Sequence, residues 1–353
     1  MSLFTLLRWL GPWTNQKRVP NGVQRDEIET HDQDFRLWVY DTPRSKGALY
    51  IVPGLHHEGP EDPRLDRFAR VLAKAGITVG VPFLPTSMGL VMKPDLCTEA
   101  QKGFQAFQEH IKKKSGVFGI SAASIGALAI ASNEQNQGSL SGVMLFGGFS
   151  NWQEALLFAA SDDDILAKDP LNIPVIFINL WEHINIPVQD EALLLQSWKK
   201  FIHQTWEKED MQSIEKHSVV AFQLAEQVHH DDRNIFLQGT SVEPGGDEII
   251  KEVLKNGLHG YDWLNPEPHL ENLCAPLFLT HGRDDVVVPY LQTYELQSKA
   301  PPHTPAYITG FYDHTGLTSF RRLLSLIPRI PQEVFHSILL LRAIIFISRG
   351  KKK

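Results

Sequence analysis

Cysteine is scarce in this chain of 353 residues: Cys97 and Cys274 are the whole complement. Two thiols so far apart make neither a disulfide framework nor a metal-ligand spacing, and they fit a reducing, cytoplasmic setting. An excess of positive charge is also missing. Lys and Arg total 34 against 41 Asp and Glu, for a formal net charge of −7. No basic stripe interleaved with aromatics occurs, so nucleic acid is not an expected partner. The opening stretch Met1 to Trp13 has a short apolar run, without a basic region ahead of it or a small-residue cleavage site behind it, and does not read as a signal peptide. Near the other end, Val334 to Ser348 is nearly all apolar, but at about 15 residues it falls short of the roughly 20 that a bilayer span needs. It reads first as a helix packed on the domain or on a second subunit. Its alternative is a peripheral membrane contact, an interfacial helix held by the basic tail Arg349 to Lys353.

Hydrophobic residues make up 42% of the chain, ample for a packed core. Their arrangement has a rhythm. Phe35 to Tyr40 alternates and Ala48 to Val52 is an apolar run ending at Pro53-Gly54, which predicts two strands. A helix is expected from Asp62-Pro63, with Asp62 as its cap, to Gly76, with Leu65, Phe68, Val71 and Leu72 toward the sheet. A strand from Thr78, a helix over 98–113, a strand at Gly116 to Phe118, a helix to about Ala131 and a strand from Gly142 follow. Strands alternating with helices of these lengths predict a mostly parallel, doubly wound α/β sheet. From about Asn151 to Leu270 the alternation stops and helical spacing takes over, until strands return at Ala275 and Pro305. The expected division is an N-terminal extension (1–34), a core in two parts (35–150 and 271–326), a helical insertion (151–270), and an apolar C-terminal helix with a basic tail (327–353).

Three places along this rhythm carry chemistry. Gly119-Ile120-Ser121-Ala122-Ala123 joins a strand to a helix rich in small residues, so Ser121 sits in a sharp turn with a helix N-terminus beneath it. The usual pattern is G-x-S-x-G, and Ala123 stands where the last glycine belongs. After the strand Leu277 to Thr280 come His281-Gly282 and two aspartates, Asp284 and Asp285. The strand from Pro305 ends toward His314. Serine, acid and histidine thus follow one another, each just past the carboxyl end of a predicted strand.

With these residues the chain resembles an α/β-hydrolase, and more narrowly a little-characterised group of bacterial α/β-hydrolases. The resemblance is carried by Pro53-Gly54-Leu55, Glu58-Gly59-Pro60-Glu61-Asp62-Pro63-Arg64-Leu65 and Gly119-Ile120-Ser121, and it covers roughly 35–150 and 270–325. It implies the α/β-hydrolase fold, with the helical insertion as a cap after the sixth strand. It also implies a triad of nucleophile Ser121, base His314 and acid Asp285, chosen over Asp284 by the H-G-x-x-D-x-x-V-P spacing. The backbone N–H groups of Leu55 and Ala122 would form the oxyanion hole.

Rivals to these assignments are few. Ser124 lies a turn inside the helix, where its hydroxyl is expected to bond back to a carbonyl. His303 and His336 are not at strand ends. The pair His56-His57 lacks a third ligand at a metal-binding spacing, and His229 to Asp232 reads as a solvated helix end, so no metal and no cofactor are expected. Of the tryptophans, Trp152, Trp181, Trp198, Trp206 and Trp263 fall in the insertion, where they would form its own core or line an apolar pocket. The activity expected is that of a serine hydrolase on an ester or thioester of a small to medium, largely apolar acyl group, failing as pH drops below about 6–7 where the base protonates. The alternative is a non-catalytic protein of the same fold that binds a ligand or partner. A dehalogenase fits poorly, since that chemistry needs an aspartate where Ser121 stands.

Overall fold

The computed structural model describes residues 1–29, 35–161, 169–206, 208–312, 314 and 327–349. Eight strands form one sheet: β1 (Gln24–Glu29), β2 (Arg36–Asp41), β3 (Gly47–Val52), β4 (Ile77–Pro82), β5 (Ser115–Ile120), β6 (Leu140–Phe146), β7 (Leu277–Gly282) and β8 (Ala306–Thr309). Their order is β1-β2-β4-β3-β5-β6-β7-β8. The pairs β1/β2 and β2/β4 are antiparallel and all the others parallel. A parallel strand with helices on both faces has no solvent side. That is why β3 is a continuous apolar run, buried at every residue.

Strand β1 lies within the segment 1–34. Its sequence, Gln-Arg-Asp-Glu-Ile-Glu, has no apolar alternation because it is an edge strand, almost wholly exposed and paired on one side only. The helix Pro63–Lys74 starts where its chemistry requires. Asp62 accepts the Arg64 N–H at 2.8 Å, proline occupies the first turn, and Leu65, Ala69 and Leu72 are buried in the core beneath β2 and β4.

The chain divides into two compact units, 1–150 with 263–353, and 151–262. The second unit is helical, built from Trp152–Ala160, Ile173–Leu180, Glu191–Thr205, Ile214–Ala225, Arg233–Gly239 and Gly246–Lys255. Trp198 is its centre. The ring is fully buried, 5.2 Å from Phe177 and 5.3 Å from Trp181, and its indole N–H donates to the Phe236 carbonyl at 3.1 Å. At the expected solvated helix end, His229, His230 and Asp231 are exposed. Asp232 is buried instead, where its carboxylate accepts the N–H groups of Gln189 and Asp190.

The helix Ile330–Arg349 is, by length and composition, the one helix among the described residues that could cross a membrane. In the fold it packs on β3, β5, β6 and β8, burying Leu340, Leu341, Ile344 and Ile347. Close approach is possible because β6 offers a glycine: a Cβ on Gly142 would lie 2.6 Å from Ile347 Cγ2.

Candidate active site

Strand β5 ends at Ile120, and Ser121 follows with φ +53°, a left-handed conformation that a side chain adopts only under strain. A single 3-10 turn, Ser121–Ala123, then leads into the helix Ser124–Ser132. The sharpness of this turn explains the small residues around it. A Cβ on Gly119 would fall 2.6 Å from the Ala127 Cβ and 3.0 Å from the Ser124 Cα, so only glycine lets strand and helix pass. Ala123 is buried at the place of the usual last glycine.

The turn after β3 passes beside this serine. A Cβ on Gly54 would touch Ser121 Cβ at 3.4 Å and the Ile120 carbonyl at 3.2 Å. Leu55 is the next residue along the chain from Gly54. Ala122 lies in the first turn of helical backbone, where N–H groups have no partner within the helix. Ser124 is buried, and its Oγ has no hydrogen-bond partner among the described residues, so the expected bond back to a carbonyl does not form. Its Oγ faces the backbone of Gly148, where a Cβ would meet it at 2.9 Å.

Asp285 and His314 meet: Nδ1 of the imidazole lies 2.7 Å from Oδ2 of the carboxylate. With a carboxylate as acceptor, that nitrogen carries the proton and Nε2 is left as the basic atom. The carboxylate is fully buried and amply supplied with donors. Its Oδ1 accepts the N–H groups of Val287 and Val288, both at 2.8 Å, and Oδ2 also receives His281 Nε2 at 3.1 Å. Burial alone would push the acid up; the charge of His314 and the hydrogen bonds from both histidines outweigh it and hold Asp285 well below the usual carboxylate range.

His281 was legible only as part of a turn, yet it is fully buried against the acid. Its Nε2 faces the Val288 carbonyl at 2.9 Å as well as Asp285, and its Nδ1 lies 2.6 Å from the Thr293 hydroxyl. These partners are satisfied when Nε2 donates and the Thr293 hydroxyl donates to Nδ1.

The sheet brings Ser121 and the Asp285–His314 pair to the same end of neighbouring strands. Ile120 of β5 is in register with Phe146 of β6, so Ser121 and Gly147 leave neighbouring parallel strands side by side, about 4.8 Å apart. Gly147, with φ +65°, is where the Asp285–His314 pair rests: a Cβ there would lie 3.6 Å from Asp285 Oδ2 and 3.6 Å from His314 Nδ1. Nothing in the sequence singled out this glycine.

Four other histidines have contacts of their own. His56 and His57 stack with ring centroids 4.6 Å apart, and the His56 Nδ1 accepts the Glu58 N–H at 3.3 Å. Asp62, which burial would raise, is brought below its ordinary value by Arg64, 2.8 Å away, and by His56. His229, His230 and Asp231 bring ligand atoms within 4.8 Å of one another on the surface. Two of those atoms already meet, His230 Nε2 and Asp231 Oδ1 at 2.9 Å, and His229 Nδ1 accepts the Asp231 N–H at 3.4 Å.

No protein-family model matches the chain, and no curated protein matches it in sequence. Solved structures do. An acylaminoacyl peptidase from Pyrococcus horikoshii superposes with a TM-score of 0.50 at 11% identity over 94% of this chain. The match takes in 42% of that peptidase, so this chain spans about two fifths of its length. An esterase from Pyrococcus furiosus matches at 13% identity and TM-score 0.45, over 94% of this chain and 95% of its own. A carboxyl esterase from Bacillus coagulans matches at 14% identity and TM-score 0.44, over 92% of this chain and 100% of its own. Strand order, the strained serine turn at the end of β5 and the superposition on the peptidase agree that this chain has the α/β-hydrolase fold.

Proposed function

We propose that the protein is a serine hydrolase acting on an ester or thioester of a small to medium, largely apolar acyl group. The observation that carries this reading is the joint presence of a positive-φ serine and, at the same sheet edge, an imidazole bound at 2.7 Å to a buried carboxylate.

A serine hydroxyl is a weak nucleophile until a base takes its proton. In the proposed reaction His314 Nε2 removes that proton as Ser121 Oγ attacks the acyl carbon, and the carbonyl π electrons move onto oxygen. Asp285 holds the Nδ1–H tautomer and stabilises the imidazolium without itself being protonated. The N–H groups of Leu55 and Ala122 are the proposed donors to the oxyanion, each worth about 3 kcal/mol in comparable sites. Collapse of the tetrahedral species breaks the bond to the leaving alcohol or thiol, which takes the proton from His314. Water, deprotonated by the same nitrogen, then attacks the acyl-enzyme and releases the acid and free Ser121. No cofactor enters the scheme.

Hydrolysis of p-nitrophenyl esters of increasing acyl length tests the reading. Turnover that peaks at short or medium chains and vanishes in Ser121→Ala supports it. A folded protein with no turnover on any chain length points to the ligand-binding alternative, for which Ala123 in place of glycine is the motivating departure.

A further inference from the structure

Glu333 is a fully buried carboxylate in the first turn of a largely apolar helix. Burying such a group costs several kcal/mol unless it is paired and hydrogen-bonded, so its partners show what it holds. Its Oε2 accepts the Gly310 N–H at 2.7 Å, and its Oε1 faces Arg283 Nη2 at 3.4 Å. Gly310 follows β8 and precedes His314 by four residues. Arg283 follows β7 and precedes Asp285 by two. One carboxylate therefore joins the chain segments that deliver the acid and the base. The same two segments also meet directly, through the Arg283 N–H donating to the Thr309 carbonyl at 2.8 Å.

Two further polar residues stand on the same side of the helix, at the i+3 and i+4 positions from Glu333. His336 Nδ1 donates to the Ile308 carbonyl at 2.8 Å, and the Ser337 hydroxyl lies 3.3 Å from the Thr309 hydroxyl. All three polar contacts fall on the end of β8, at residues 308–310. The apolar residues farther along, Leu340, Leu341, Ile344 and Ile347, fix the helix to the sheet. The helix thus has a hydrophobic anchor and a polar end, and the polar end grips the strand terminus from which His314 extends.

We infer that Glu333 is a positioning residue for the Asp285–His314 pair, a brace that sets the separation of the two segments by holding Gly310 and Arg283 at once. It does not touch substrate or the reacting atoms. The inference rests on the serine-hydrolase reading for its kinetic consequences, and on geometry alone for its structural one.

The test compares Glu333→Ala and Glu333→Gln with wild type by kcat and KM on p-nitrophenyl butyrate, and by the strongly deshielded proton shared between His314 Nδ1 and Asp285 in the proton NMR spectrum. The expected result for Glu333→Ala is kcat lower by about ten- to a hundredfold, as for a sub-ångström to 1 Å misplacement of a catalytic group, with KM unchanged and the shared proton broadened or lost. Glu333→Gln keeps an acceptor for Gly310 but no charge for Arg283, and falls between the two. A purely structural role would lower unfolding stability and leave kcat and the proton resonance of the folded protein as in wild type; that result overturns the inference. If Glu333→Ala does not fold, Glu333→Gln decides by the same readouts, and wild-type values in both overturn it. If wild type itself does not turn over the ester, the hydrolase reading fails and the brace is judged on the shared proton alone. Its loss in the folded variant upholds the brace and its persistence refutes it.

Discussion

Gly119→Ala puts the strained turn to the test with a single methyl group. The added Cβ would sit 2.6 Å from the Ala127 Cβ and 3.0 Å from the Ser124 Cα, where ordinary carbon contacts are 3.5–4.0 Å. The strand cannot yield, because β5 is paired on both sides, by β3 and β6. The helix Ser124–Ser132 must therefore shift outward by roughly 1 Å, at the 1–3 kcal/mol typical of overpacking. Ser121 is tied to the first turn of that helix and moves with it. A displacement of this size in a reacting group costs about 10²-fold in rate. Urea unfolding reads the first quantity and hydrolysis of p-nitrophenyl butyrate the second. The reasoning predicts loss in both, with the rate falling further than about 3 kcal/mol of stability could explain, since the folded fraction stays near one. A Gly119→Ala protein with wild-type stability and turnover would refute the close-approach argument.

Three other outcomes follow from the geometry. Asp285→Asn keeps the shape but not the charge, and replacing the acid of a comparable triad lowers kcat about 10⁴-fold, so a similar loss is expected on the same ester. The same substitution has a stability signature: because the Asp285 carboxyl is held below its unfolded value, its ionised form stabilises the fold above about pH 4, and that contribution fades as pH falls further. The stability difference between wild type and Asp285→Asn in urea should therefore shrink below pH 4; a gap that widens there would contradict the assignment. Activity should decline on one acidic limb as the imidazole base takes up a proton, with no second limb from Asp285 between pH 4 and 6 in a full pH–rate profile, because that carboxyl is held below its ordinary range. In the helical unit, Trp198→Ala empties a fully buried site and should lower stability by about 3–5 kcal/mol in calorimetry or urea unfolding; a cost under 1 kcal/mol would mean the ring is not that unit's core.

Strands β3 to β7 were readable because parallel strands paired on both sides need continuous apolar runs and end at turn residues; β2 showed in its alternation, and β8 in its apolar run although it is paired on one side only. Strand β1 was not, since nearly every residue of this edge strand is exposed and no apolar alternation is needed. At the candidate site, the small-residue turn at Ser121 and the two strand ends that carry Asp285 and His314 left local signals, and the structure has a strained turn at the first and a 2.7 Å contact between the other two. Their supports were not. His281 reads as a turn residue until its ring is seen against Asp285, and Gly147 as one glycine among 25. Glu333 stands just before the apolar run that drew attention to the C-terminal helix, and its partners lie 23 and 50 residues earlier in the chain. Asp232 likewise shows its role only through the backbone at Gln189 and Asp190, more than 40 residues away. Such long-range partners leave no periodic trace in the sequence.

The central claim is tested most directly by labelling the folded protein with a fluorophosphonate and mapping the modified peptide. The account predicts one adduct on Ser121, undiminished in Ser124→Ala, lost in Ser121→Ala and severely slowed in His314→Ala. An adduct on Ser124, or none at all in well-folded wild type, would contradict it.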